Sequence, residues 1–211
     1  MVDWQGLSGL LFDMDWLFLV GTAAFSVSGY LIGVKKRFDL LGVLIVALLT
    51  AIGGGVIRDI LLNRIPVIFF DASSVWVITA TLLVSWAMSL HKVYGVGMYR
   101  VFIVADSIGL IAFSLAGAEL GIHYGLNFFG VLFVGFVTAI GGGIVRDMMV
   151  NDVPFILHKD VYGTVSMLVA GLLYAANSLG WKGAAVIWSL FALGLAIRLI
   201  AHWRDFRLPQ V

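Results

Sequence analysis

The sequence has no cysteine, which excludes disulfides and any cysteine-based metal or redox centre. Charge is scarce as well. Only 12% of the 211 residues are Asp, Glu, Lys or Arg, while 62% are hydrophobic. Soluble domains carry about 25% charged residues, so a soluble globular fold is excluded. The formal net charge of +1 offers nothing to a nucleic acid or an acidic partner. No linker, low-complexity run or soluble domain interrupts the apolar stretches. The segment Met1–Asp15 lacks the basic run of a cleavable signal and carries Asp3, Asp13 and Asp15, so it reads as retained, with Trp4 and Trp16 as interfacial anchors. No Ser-His, paired-aspartate or His-rich group recurs at helical spacing. His91, His123, His158 and His202 fall at span ends or in loops. Neither an enzyme, a cofactor nor a metal site is expected.

What the sequence does have is apolar windows of about 20 residues, the length that crosses a hydrocarbon core of about 30 Å. Seven are expected, making an all-α integral membrane protein in a single domain, residues 1–211. The spans run over about 16–34, 40–62, 75–90, 101–121, 128–150, 161–177 and 183–201. An outside N-terminus gathers Lys35, Lys36, Arg37, Lys92, Arg100, Lys159, Arg198, Arg204 and Arg207 on the cytoplasmic side. Chiefly Arg64 and Lys182 remain opposite. By the positive-inside rule this predicts N-out, C-in in a bacterial-type inner membrane.

One stretch occurs twice, at a constant offset of 88 residues. Gly53-Gly54-Gly55-Val56-Ile57-Arg58-Asp59 continues to Asn63 and Pro66. Gly141-Gly142-Gly143-Ile144-Val145-Arg146-Asp147 continues to Asn151 and Pro154. Gly21, Phe25, Ser26, Gly29 and Gly33 match Gly109, Phe113, Ser114, Gly117 and Gly121 at the same offset. The repeat therefore covers spans one to three (about 16–90) and four to six (about 101–178). Three is odd, so the second copy enters the membrane from the other side, an inverted repeat. The seventh span, about 183–201, stands outside it.

Each glycine in a helix destabilises it by roughly 1 kcal/mol relative to alanine. The triplets fit two readings: close helix packing, or a broken or kinked helix whose carbonyls face a polar cavity. A helix starting at Leu40 rises about 20 Å before Gly53, past mid-membrane. Arg58 then lies nearer the outer face and, by inversion, Arg146 nearer the cytoplasm. The two Arg-Asp pairs flank a constriction from opposite sides, snorkel to the interfaces, or form local ion pairs. A bulky residue at Gly54 or Gly142 is expected to suppress permeation. Asp106 and Glu119 have no acidic counterparts in the first repeat, where Phe18 and Leu31 stand. Asp106 reads as polar support for the site or as a helix cap, and Glu119 as a residue near the interface. Ser26 and Ser114 read as packing or backbone-bonding residues.

The doubled G-G-G-x-x-R-D stretch, the F-S-x-x-G runs and Asp106-Ser-Ile-Gly-Leu-Ile-Ala-Phe113 resemble the bacterial membrane family whose domain is labelled "glycine transporter". That family is similar in fold to the trimeric intracellular cation (TRIC) channels and includes their prokaryotic members. The resemblance, over about Trp16 to Ile200, implies three helices, three inverted and one more. It also implies a homotrimer in membrane lipid, with a potassium-permeable pore for monovalent cations in each subunit. The pore positions it implies are Gly53, Gly54, Gly55, Gly141, Gly142 and Gly143, at kinks of the second and fifth helices, with Arg58, Asp59, Arg146 and Asp147 as the charged members. The phosphoinositide-binding and lysine-containing features of the animal channels have no clear match here. The alternative is a secondary carrier of glycine or another small solute, since inverted repeats also build alternating-access transporters.

Overall fold

Two polar residues at equivalent places in the repeat, Asp39 and Asn127, open two helices in the same way. The Asp39 carboxylate accepts the Gly42 N–H at 2.7 Å, and the Asn127 side-chain oxygen accepts the Gly130 N–H at 2.9 Å. Each bond satisfies a donor that the start of a helix leaves orphaned. The computed structural model describes residues 8–157, 161–204 and 206, with side chains for 16–157 and from 163 onward. Trp4, His158, Lys159 and Arg207 lie outside the described residues.

Seven helices follow in order: α1 (Ser8–Lys35), α2 (Leu40–Leu61), α3 (Ser73–Ala87), α4 (Gly95–His123), α5 (Phe128–Met149), α6 (Val161–Ser178) and α7 (Ala184–Trp203). Short 3-10 turns at Val67–Phe69 and Phe155–Leu157 precede α3 and α6. Among the described residues there is no strand. Five helices are long and apolar enough to cross a membrane, while α3 and α6 are shorter apolar helices. α4 begins at Gly95, before the expected Val101, because the exposed Tyr99 and Arg100 lie within its first two turns. Arg198, counted above as a cytoplasmic charge, is instead buried inside α7.

The inverted repeat is visible contact by contact. Phe25 of α1 packs over Gly109 of α4, and its counterpart Phe113 packs over Gly21. The two rings meet at 5.2 Å between centroids. Rising numbers on α1 meet falling numbers on α4, so these helices run antiparallel. Within each half the packing also repeats. Gly29 of α1 abuts Ala47 and Thr50 of α2, and Gly117 of α4 abuts Val134 and Thr138 of α5. Thr50 and Thr138 each donate their hydroxyl to the carbonyl four residues back, at 2.6 Å, so neither is left polar in the apolar interior. Lys36, between α1 and α2, reaches Asp152, just after α5, at 2.6 Å. The start of α2 and the end of α5 therefore share one end of the molecule. α7 closes the bundle against α4 and α6, where Gly194 meets Ile111 and Val169.

These close approaches make a direct prediction. A Cβ at Gly29 would fall 2.6 Å from Ala47 Cα, which is backbone and cannot swing away, whereas at Gly171 the nearest atom is a Leu132 methyl at 3.6 Å. Gly29→Ala should destabilise by about 1–3 kcal/mol. Gly171→Ala should be neutral or stabilising, as thermal unfolding in detergent will record.

Candidate functional site

The glycine triplets sit where α2 crosses α5. A Cβ at Gly54 would collide with the Thr138 carbonyl, and one at Gly142 with the Thr50 carbonyl. Gly141 lies against the Gly54 Cα, and Gly53 against the Gly142 Cα. Exchanging each residue for its repeat partner returns the same contacts, so a pseudo-twofold axis runs through this crossing. α-Helical geometry continues through both triplets. Of the broken or kinked helix expected, the break is therefore corrected: the backbone stays in its helical hydrogen bonds, and at Gly54 and Gly142 the partner helix fills the missing side-chain space. Gly54 and Gly142 are packing positions, and a bulky residue there would part the helices before it tested permeation. Gly55 differs. It is buried, yet the nearest atoms to its Cβ position are Arg58 Nη2 at 3.9 Å and Phe18 at 4.0 Å. Gly143 is buried on α5 at the equivalent place.

One turn beyond each triplet the charges are locked in place. Arg58 Nε donates to Asp59 Oδ1 at 2.9 Å, and Arg146 Nε to Asp147 Oδ1 at 2.8 Å. The second oxygen of each carboxylate turns to the main chain: Val67 N–H donates to Asp59 Oδ2 at 3.1 Å, and Phe155 N–H to Asp147 Oδ2 at 2.7 Å. Each aspartate thus ties the end of its helix to the first residue of the 3-10 turn that follows. The intervening chain reverses at Asn63 and Asn151, whose φ values of 53° and 56° lie in the left-handed region, where asparagine is favoured among non-glycine residues. Arg64 N–H and Asp152 N–H close these reversals on the Asp59 and Asp147 carbonyls at 2.9 Å. The Asn of the repeated stretch is thereby explained, and the Pro66 and Pro154 carbonyls accept the Phe69 and Leu157 N–H groups at the start of the 3-10 turns. Their recurrence was legible in the sequence, but their job was not.

Of the readings offered for the arginines, the local ion pair is observed and snorkelling is not. Arg58 is 5% exposed and Arg146 is fully buried.

The second half carries more than the first. Arg146 Nη1 also donates to Asp106 Oδ1 at 2.6 Å and to Ser28 Oγ at 2.5 Å. Its guanidinium carbon lies 4.9 Å from the centre of the Phe102 ring, a cation–π distance. α1, α4 and α5 are thereby joined at one side chain. Asp106 is fully buried, three turns into α4, so the cap reading fails: the helix starts earlier than expected, and the carboxylate meets a guanidinium instead of a helix end. The equivalents of Asp106 and Ser28 are Phe18 and Ala116. On the α2 side Arg64 takes a different place, with its Nε 3.4 Å from Asp59 Oδ1. Ser26 bonds the Thr22 carbonyl and Ser114 the Ser166 carbonyl, as backbone-bonding residues. Glu119 is partly buried near the end of α4. Ser28, Arg64 and Phe102 were not singled out from the sequence. Ser28 could have been, because it breaks the repeat.

Comparison with known proteins agrees with this geometry. The family model described as "Glycine transporter" matches residues 15–92 and 103–178, one block per repeat. A "UPF0126 membrane protein" of Deinococcus radiodurans is 38% identical over 164 residues, covering 76% of this chain and 75% of that protein. A solved structure described as the structural basis for conductance through TRIC cation channels is 32% identical. Its TM-score is 0.79, covering 93% of this chain and 96% of that one. The TRIC trimeric intracellular cation channel orthologue from Rhodobacter sphaeroides is 26% identical, with a TM-score of 0.83, over 92% of this chain and 98% of that one.

Removing one partner of a buried ion pair destabilises by about 3–5 kcal/mol. Asp147→Ala, which also orphans the Phe155 N–H, should fall in that range. Lys36→Ala breaks a pair whose side chains are 29% and 45% exposed and should change stability by less than about 1 kcal/mol. Parallel unfolding curves of the two variants check the contrast.

Proposed function

The chain belongs to the glycine-transporter-domain membrane family, and from that premise we propose that it is a passive channel for monovalent cations, permeable to potassium, with one pore in each subunit of a homotrimer. The observation that carries this reading is the α2–α5 crossing, in a fold similar over most of its length to channels described as conducting cations. The pore follows the triplets Gly53–Gly55 and Gly141–Gly143, with Arg58-Asp59 and Arg146-Asp147 towards opposite mouths and Asp106 beside the second. Gly55, buried and with a Cβ position in ordinary contact with Arg58 Nη2 and Phe18 instead of a backbone clash, supports this path. Because the helices are continuous and pack closely at Gly54 and Gly142, the triplets supply freedom to bend and few free carbonyls. A cation then keeps much of its hydration, and discrimination among monovalent ions is weak. The whole chain acts as one membrane domain, with its N-terminus outside and its C-terminus in the cytoplasm of a bacterial inner membrane. The family's description keeps a glycine or small-solute carrier as the second reading.

Recording from purified protein in a planar bilayer separates the two. Discrete potassium currents that reverse with the gradient are expected, and saturable glycine uptake without unitary currents would sink the channel. Gly55→Ala should lower conductance measurably while changing stability by no more than about 1 kcal/mol, since its Cβ would stand at ordinary contact distance from Arg58 Nη2 and Phe18. The absence of native cysteine makes the orientation directly testable. In intact cells an impermeant thiol reagent should label Lys182→Cys from outside and leave Lys92→Cys untouched until the membrane is opened.

A further inference from the structure

Counting charge by side of the crossing reveals an imbalance that the repeat conceals. The pairs Arg58-Asp59 and Arg146-Asp147 cancel. What remains is Asp106 on the α5 side and Arg64 on the α2 side. Asp106 is fully buried, and only one of its oxygens is used: Oδ1 takes Arg146 Nη1 and, at 3.5 Å, the Ser28 hydroxyl. Oδ2 is buried and has no hydrogen-bond partner among the described residues. The hydroxyl of the next residue, Ser107, is in the same condition. An ionisable group held inside a membrane with a free oxygen marks an ion path. The Phe102 ring lies against the Arg146 guanidinium, which is bonded to the carboxylate's other oxygen, Oδ1. Of the basic residues expected at that end of the molecule, Lys35, Arg37, Lys92, Arg100 and Arg204 are exposed and screened by solvent, Lys36 is neutralised by Asp152, and Arg198 is buried on α7.

We propose that the Asp106 carboxylate, through its unpartnered Oδ2, is the cation-selecting site of the pathway, holding a partly dehydrated monovalent cation. Its fixed negative charge, set against Arg64 at the other end, makes conduction asymmetric. This rests on the channel reading given above, and it adds what that reading leaves open: which residue chooses cation over anion. Asp106 is replaced by Phe18 in the first repeat, so selection is placed in one half only.

The test compares wild type, Asp106→Asn and Arg64→Gln in a planar bilayer under a potassium chloride gradient. Asp106→Asn should lower the potassium-to-chloride permeability ratio by at least tenfold, since one unit charge about 4 Å from an ion at an effective dielectric near 20 corresponds to up to roughly a thousandfold, and flatten the rectification. Arg64→Gln, at a side chain that is 19% exposed, should also flatten rectification while leaving the ratio unchanged or raised. If Asp106→Asn does not fold, Arg64→Gln alone decides, and unchanged rectification in it overturns the proposal. Wild-type currents with an unaltered reversal potential in folded Asp106→Asn overturn it as well. Absence of wild-type currents overturns the channel reading instead. The cation site then stands or falls on thermal unfolding, where potassium but not choline should raise the wild-type Tm and leave Asp106→Asn unmoved.

Discussion

A charge inside a membrane has to be answered by a partner fixed in place, because no water is available to answer it. In this chain the buried Arg58 and Arg146 are each met by the residue next to them, and the aspartate that meets each also holds a backbone N–H eight residues later. The ion pair is therefore also a hinge pin. It fixes where α2 and α5 stop and how the chain reverses at Asn63 and Asn151. It also fixes where the following 3-10 turns lie. Breaking the charge and losing the turn are one event.

The helices meet at the crossing through a different economy. There the sequence withholds side chains, and the backbones of α2 and α5 come close enough for a glycine to rest against a carbonyl of the other strand of the bundle. Van der Waals packing of this kind is the main attraction available between helices in lipid.

Much of this was legible beforehand. Seven helices and their inverted pairing follow from apolar run lengths and from the constant offset, and the bounds of α2 and α5 lie within a residue of the expected ones. Helix ends in apolar sequence are less visible, and α4 is the example: Tyr99 and Arg100 look like an interface but lie within the first turns of the helix. Which glycine rests against the partner backbone could not be read either. Gly54 and Gly55 are adjacent and identical, and only the position of α5 distinguishes them. The departures from the repeat were the better guide to the site. Asp106 against Phe18 and Ser28 against Ala116 are the places where duplication gave way, and both converge on Arg146.

The brevity of α3 reaches beyond the protein itself. Its 15 residues make a rod of about 22 Å, shorter than the hydrocarbon layer of about 30 Å that surrounds it. Trp76 and Trp86, both exposed near its two ends, anchor ring edges at the level of headgroups. A helix this short meets such a layer by thinning the lipid, by snorkelling of its flanking residues or by packing against a further helix, each at a modest cost. Because the mismatch energy grows with acyl length, the thickness of the host membrane becomes a variable to which the packing of α3 responds.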